Sequence, residues 1–439
     1  MELETLSTIS KGESMFVDES IKKKVREGVD QRREELVEVL STLVKIPSVV
    51  GYEGKAQKAV SRLYKEAGLK VIRFQADHEK IKDHEAFVES ALPYKNRPNI
   101  IGIKPGDKGS QSLILNGHID VVSPEPVNQW KHDPWGAEVV NGKLYGRGSA
   151  DMKGGLTANF IALKTLIELG LNPKGKVMLH SVVEEEAGGG AGTLASLLAG
   201  HTADGMVITE PHNLRITVAM AGINYFRVKV QGKTAHAGLA HLGVNAIGKM
   251  YKIYQALAAL DERRGAEVKF DLFEKGSGRS THLNIGTLKA GDWASTVAGS
   301  AELECRISFI PGETMKEIKD LVGKTIFDAV KDDPWMREHP PVIEWYGWHA
   351  EPWLQDINAP LVQAFKKTAQ EVLGKEPEYA GRAAGLDSRF APYFNMPALC
   401  TGPIGESLHG IDECVDLESV LTLTKILALF ILNWCGIED

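Results

Sequence analysis

SLILNGHID, residues 112–120, is a short apolar run that ends in a histidine and an aspartate. Leu113, Ile114 and Leu115 have no polar residue alternating with them, the pattern of a strand buried on both faces of a parallel sheet. VMLHSVV (177–183) and MVIT (206–209) read in the same way. Between the first two runs, Leu156, Phe160, Leu163 and Ile167 recur at helical spacing, and Gly170 follows as a stop. Strands alternating with helices predict an α/β sheet covered by helices on both faces.

Outward from this core the texture changes at about Ile216. YFRVKV (225–230) and AELECRISF (301–309) alternate as half-buried strands do, with helical patterns over Ala246–Leu260 and Met315–Val330 and a strand-like Val342–Tyr346. The βαββαβ order predicts a two-layer α+β domain with a largely antiparallel sheet. A helical stretch at Ala359–Leu373 and a strand at Ala398–Thr401 then return to the first style. The expected organisation is a mostly parallel α/β domain built from residues 1–216 and 351–439, interrupted by a smaller domain over 217–350. The polar first 30 or so residues are expected to form a helix or arm leading into Glu34–Leu43.

The 439 residues carry 51 Lys+Arg against 58 Asp+Glu, a formal charge of −7, with 43% hydrophobic residues. This mixture excludes collagen-like, disordered and coiled-coil chains. Mild acidity argues against a nucleic-acid partner. Cys305, Cys400, Cys414 and Cys435 are too scattered for a disulfide framework or a thiolate metal site. MELETLSTISKGESMF has no apolar core of a signal peptide, and the longest apolar run, Ile426–Leu432, falls short of the roughly 20 residues of a membrane span. A cytoplasmic protein without a membrane partner is expected.

Several motifs fail. Gly232-Lys233-Thr234 lacks the upstream P-loop glycine, where Arg227 stands. The run Gly188–Gly190 with Gly192 lacks the dinucleotide fingerprint, and there is no Gly-x-Ser-x-Gly elbow or His-Glu-x-x-His helix. What remains is a set of acids and histidines just beyond the apolar runs: His118 and Asp120, Glu184 to Glu186, and Glu210, with Asp151 in GRGSADMKGG directly before a helix. Open α/β sheets bind ligands at the carboxyl ends of their strands. Imidazole and carboxylate converging there point to a cation site with N and O ligands. Each residue has a plainer reading: a structural His118, a solvated Glu184–Glu186 loop, a helix-capping Asp151.

In order, NGHIDVV, YGRGSADMKGG, EEEAGG, TEP, GKTAHAG and the late ESLHGIDE resemble the M20 metallopeptidase family of acetylornithine deacetylases, succinyl-diaminopimelate desuccinylases, aminoacylases and carboxypeptidase G2-like enzymes. The resemblance runs from VKIPSVVGYE (44–53) to His409. It implies a dizinc catalytic domain, with cobalt able to substitute, and an inserted dimerisation or lid domain that makes a homodimer. Asp151 would bridge the two metals, His118 and Glu210 completing one and Glu186 and His409 the other. Asp120 would hydrogen-bond the second ring nitrogen of His118. Glu185 would be the general base for a metal-bridging water.

The same resemblance implies that His236 reaches from a second subunit to the developing oxyanion, and that Arg306 and Asn284 contact the substrate. A surface or capping His236 and an ion-paired Arg306 are the plainer alternatives. Ser295-Thr296, Ala298 and Cys414 depart from the desuccinylase pattern and leave the acyl group open. Asp387 and Arg389 in GRAAGLDSRF are expected near the site without an assigned role. The expected activity is hydrolysis of an N-acyl amino acid or N-acyl diamine. A dipeptidase or carboxypeptidase is the nearest rival, and a non-catalytic binding descendant the more distant one.

Overall fold

The apolar runs at the centre of the sequence become the centre of a sheet. The computed structural model describes residues 17–90 and 92–438. Among them a nine-stranded sheet runs, in spatial order, through Lys70–Gln75, Pro98–Lys104, Val177–Val182, Leu113–His118, Met206–Ile208, Ala398–Cys400, Ile216–Met220 and Trp353–Leu354, with Tyr379–Arg382 also pairing with Ile216–Met220. The four strands from Val177–Val182 to Ala398–Cys400 are mutually parallel, as their sequences predict. The flanking pairs Lys70–Gln75 with Pro98–Lys104 and Pro98–Lys104 with Val177–Val182 are antiparallel, so the sheet is mixed.

Period-two geometry divides each central strand between two cores. Leu113, Leu115, Val177, Leu179 and Val207 face one apolar cluster, while Ile114, Met178, Met206 and Ile208 face the other. The first cluster lies under the helices Gly155–Glu168, Pro360–Leu373 and Leu417–Cys435. Full burial of each such side chain contributes about 1.5–3 kcal/mol, which makes this the stable platform on which the strand ends are held. Leu417–Cys435 is the one helix among the described residues long and apolar enough to cross a membrane, but 83% of its apolar window is buried in this core.

The smaller sheet is antiparallel throughout, in the order Leu283–Ala290, Ser300–Phe309, Gly222–Gln231, Val342–Ala350. Ala246–Glu267 starts at an Asn245 cap, and Met315–Val330 at a Thr314/Glu317 capping box. Both cover one face, where Phe226, Val228, Leu303 and Ile307 are buried. The sequence boundary at 216/217 needs correction. Ile216–Met220 belongs to the large sheet, and the returning Trp353–Leu354 pairs with it directly, Trp353 opposite Met220. The two crossings between sheets therefore lie side by side. The misplaced boundary has a physical cause: the partners that bury Ile216–Met220 are supplied only by chain that returns more than a hundred residues later. Of the expected N-terminal arm, residues 1–16 lie outside the described residues; Glu19–Asp30 and Arg33–Val44 are helices, the former capped by Asp18.

A third, four-stranded sheet is small but bears on the site. Its Cys414–Asp416 strand pairs antiparallel with Lys143–Tyr145, which brings the segment after His409 beside the loop that leads to Asp151.

Candidate metal centre

Three adjacent parallel strands end on the same edge and deliver their next residues to one place. His118 closes Leu113–His118, the turn Glu185–Ala187 follows Val177–Val182, and Glu210 follows Met206–Ile208. Asp151 comes from the segment before helix Gly155–Glu168, and His409 from the C-terminal loop in a left-handed conformation, φ 60°. Close packing fixes these entries. A Cβ on Gly155 would sit 1.9 Å from the Thr209 carbonyl oxygen, so the helix that follows Asp151 approaches the Glu210 strand end more closely than any side chain allows.

Asp151 stands between the two imidazoles. Its Oδ1 is 3.2 Å from His118 Nε2 and its Oδ2 is 3.4 Å from His409 Nε2. His118 Nε2 is also 3.2 Å from Glu210 Oε1, and His409 Nε2 is 3.1 Å from Glu186. Asp151 thus stands between His118 with Glu210 and His409 with Glu186, and His118, Asp151 and Glu186 also each offer an atom within 4.8 Å of the others. Neutral imidazole and carboxylate donors converging on two points fit a pair of borderline divalent cations. Glu185 also lies within reach, since His118, Glu185 and Glu210 each offer an atom within 4.8 Å of the others.

Electrostatics express the same crowding. Burial opposes a charged His118, yet Glu210 and Asp151 outweigh it and raise its pKa well above 6.5. Burial also opposes ionised Asp151, but His118 and His409 hold it well below the usual carboxylate range. Glu185 is pushed well above that range by burial and by the charge of Glu210, and Glu186 up to about 7 by burial and Asp151. Hydrogen bonds that its ring donates to the Asp151 and Glu186 carboxylates push His409 up to about 10.

Asp120 departs from its expected contact. The main-chain carbonyl of Asp120, 2.8 Å away, accepts from His118 Nδ1, while the carboxylate Oδ1 stands 3.7 Å from that nitrogen. The carboxylate instead accepts the backbone N–H groups of Glu185 (3.3 Å) and Glu186 (3.1 Å). The reason is local: with His118 closing the strand, the chain turns so that the carbonyl faces the ring and the side chain faces the neighbouring turn. The tautomer is still fixed, by backbone, and the side chain anchors two of the acidic residues.

Glu184 is neither a ligand nor a solvated loop residue. It is fully buried with φ 70°, and its carboxylate accepts from Arg97 Nη1 at 2.8 Å, while Arg97 also pairs with buried Glu53. This triad pins the turn from beneath. Asp387 is buried and accepts from Thr193 Oγ1 at 2.6 Å. Buried Arg389 donates to the carbonyls of Ala86 and Gly188 and lies over the Trp348 ring, supporting the far end of the Glu185 turn. Arg382, 3.5 Å from Glu210, was not singled out from the sequence. Only its place in GRAAGLDSRF, beside two residues that were, could have signalled it.

A cavity of about 320 Å³ opens on this centre. Asp151, Glu185, Glu186, Glu210 and His409 line one side, and Tyr225, Arg306 and Trp348 approach from the smaller sheet. Arg306 has no carboxylate partner among the described residues; it donates to the Ala383 carbonyl at 3.2 Å. Pairing aligns Asn284, Arg306, Tyr225 and Tyr346 in one row across the four strands. Asn284 is exposed and does not line the cavity, and neither does His236, which is exposed and accepts from the Gly238 N–H at 3.1 Å.

Residues 114–433 match the profile described as Peptidase family M20/M25/M40. The chain is 29% identical over 433 residues, 93% of its length and 96% of the relative's, to N-formyl-4-amino-5-aminomethyl-2-methylpyrimidine deformylase of Halalkalibacterium halodurans. Human carnosine dipeptidase 1 shares the fold at TM-score 0.73 and 17% identity, covering 94% of this chain and 99% of that one. A dinuclear metal-binding peptidase of Bacillus subtilis does so at TM-score 0.61 and 15% identity, covering 92% and 98%.

Proposed function

The chain belongs to peptidase family M20/M25/M40, metal-dependent hydrolases of amide bonds, and from that premise we propose that it is a dinuclear amidohydrolase, loaded with zinc or with cobalt in its place, that removes a small acyl group from an N-acylated amino acid. His118, Asp151 and Glu210 would hold one ion, and Asp151, Glu186 and His409 the other. Bound there, the ions supply Lewis acidity and lower the pKa of a water to about 7.

The remaining steps belong to side chains. Glu185 lines the cavity without pairing to either imidazole, and its carboxylate accepts the proton of the attacking water and returns it to the leaving amine nitrogen. Asp120 holds the backbone of Glu185 in place through its N–H. The oxyanion receives a donor from His236 of a second copy, because within one chain His236 is exposed and does not line the cavity. Exposed Leu239 and Leu242 in the turn Ala237–Leu242, Tyr251 on the helix Ala246–Glu267 and Trp293 in the loop after Leu283–Ala290 support association through the inserted domain. Mixing E185Q with H236A protein is expected to restore part of the activity that each lacks, since a mixed dimer keeps one intact site. Recovery no greater than the sum of the separate variants removes His236 from a role across the subunit boundary.

The observation that carries the substrate reading is Arg306: a half-buried guanidinium without a carboxylate partner among the described residues, in the same cavity as the metal-ligand set. A planar, bidentate donor in that position suits a substrate carboxylate. A second reading, deformylation of an N-formyl aminomethyl heterocycle, is supported by the name of the Halalkalibacterium halodurans relative and by the flat walls of Tyr225 and Trp348. A panel of formyl-, acetyl- and succinyl-amino acids, N-formyl aminomethylpyrimidine and dipeptides, tested on zinc- and cobalt-loaded protein, separates the two. The first reading expects R306A to raise KM for N-acyl amino acids by about 10–100-fold, the worth of a charge-assisted pair of about 1.5–3 kcal/mol. An unchanged KM, with the aminopyrimidine turned over fastest, transfers the conclusion to the second reading.

A further inference from the structure

The loops that carry Asp151 and His409 come from opposite halves of the chain, and one buried ion pair ties them together. Glu413 immediately precedes the strand Cys414–Asp416, and its own carbonyl accepts from Gly146 N–H at 2.9 Å. Its side chain turns into the loop on the far side of that contact. Oε2 accepts from Gly148 N at 3.0 Å, and Oε1 accepts from Ala150 N at 3.1 Å and Asp151 N at 3.0 Å. Three backbone donors of one loop thus converge on one carboxylate.

Its counter-ion completes the tie. Arg147 Nη1 donates to Glu413 Oε2, and Arg147 Nη2 donates to the Gly410 carbonyl at 2.8 Å, one residue beyond His409. Glu413 has no exposed surface and Arg147 has 1%. Gly148 takes φ 78°, and a Cβ there would stand 2.3 Å from Val121 Cγ1, so only glycine lets the loop pass this close to Val121 beside the carboxylate. A buried ion pair contributes little net stability, because desolvation offsets its attraction. Its hydrogen bonds, however, end on the backbone of one metal-ligand residue and on the neighbour of another.

We propose that Glu413, acting with Arg147, is a positioning residue for the metal centre: it fixes Asp151 and His409 relative to each other so that both ions find their ligands at once. The inference rests on reading Asp151 and His409 as metal ligands. Partners behind a ligand typically alter metal affinity by about 10–100-fold. Glu413→Asp keeps the charge and the Arg147 pair but is one methylene too short to reach all three N–H groups. Glu413→Gln keeps the length but loses the second acceptor.

Metal-free full-length variants, checked by far-UV circular dichroism, are titrated with Zn²⁺ against a chromophoric chelator, and with Co²⁺ to record the visible spectrum. E413D and E413Q are expected to fold, to bind about 10–100-fold more weakly and to shift the cobalt bands. D151N is the control. If D151N binds as tightly as the parent, the ligand reading itself fails. If D151N is weak while E413D and E413Q stay within twofold with an unchanged cobalt spectrum, the ligand reading stands and the positioning role is overturned. Loss of the fold in both variants, with or without metal, overturns it equally, in favour of a purely structural pair.

Discussion

Glu185→Gln is expected to lower kcat by about 10²–10⁴-fold, the usual contribution of a positioned general acid–base group, while the protein still takes up two metal equivalents. The substitution keeps the shape of the side chain and leaves the backbone N–H that Asp120 accepts. It removes only the capacity to take a proton and pass it on. The measurement pairs steady-state kinetics with metal analysis, and each outcome has a distinct meaning. Near-normal turnover with two ions bound removes Glu185 from the proton path. Loss of one ion makes Glu185 a ligand, an arrangement that its proximity to His118 and Glu210 would accommodate.

That the turn carrying Glu185 could be placed from sequence reflects where the physics is local, whereas the choice of Glu185 among its three glutamates came from the family resemblance. Strands buried on both faces must be apolar throughout, so SLILN, VMLHSVV and MVIT declare themselves, and the residues just beyond them must lie at the strand ends. His118, the glutamates of the turn and Glu210 follow from that placement. Asp151 and His409 do not: no apolar run aims them, and their motifs alone marked them. The order of the inserted elements was legible for a related reason, because alternation and capping residues such as Thr314 and Glu317 act within a few residues of the elements they define.

What remained illegible depends on contacts between distant parts of the chain. Arg97 pairs with Glu53 and Glu184, 44 and 87 positions away, and nothing in three consecutive glutamates says that the first is a buried counter-ion. Glu413 and Arg147 are separated by 266 positions and meet only because two short strands pair. The antiparallel flank strand Lys70–Gln75 is half-exposed and charged, so its hydrophobic signal is weak. Asp120 was placed correctly and given the wrong bond. The direction of a side chain after a strand depends on backbone dihedrals that spacing does not encode. The buried framework beneath the ligands is thus the least visible layer of the site in sequence, although it sets where the visible layer points.

Asp151→Asn tests the sharing of that layer most severely. Asp151 faces both imidazoles, Oδ1 toward His118 and Oδ2 toward His409. A bridging role requires both oxygens to carry negative charge, and asparagine offers one neutral oxygen and a donor in place of the other. Both ions should therefore weaken together, by more than about 100-fold, exceeding the effect of a residue that acts only from behind the ligands. With several kcal/mol of charge stabilisation lost from the reaction, kcat/KM at limiting metal should fall by about 10³-fold or more. His118→Ala and His409→Ala provide the contrast, because each imidazole belongs to one group and each variant should retain one ion of the pair. Metal stoichiometry after exhaustive dialysis reads the difference directly. Two ions retained in the Asp151→Asn protein, or one ion lost and the other held at its original affinity, would show that the two groups do not share this carboxylate. The centre would then have to be redrawn as two separate sites.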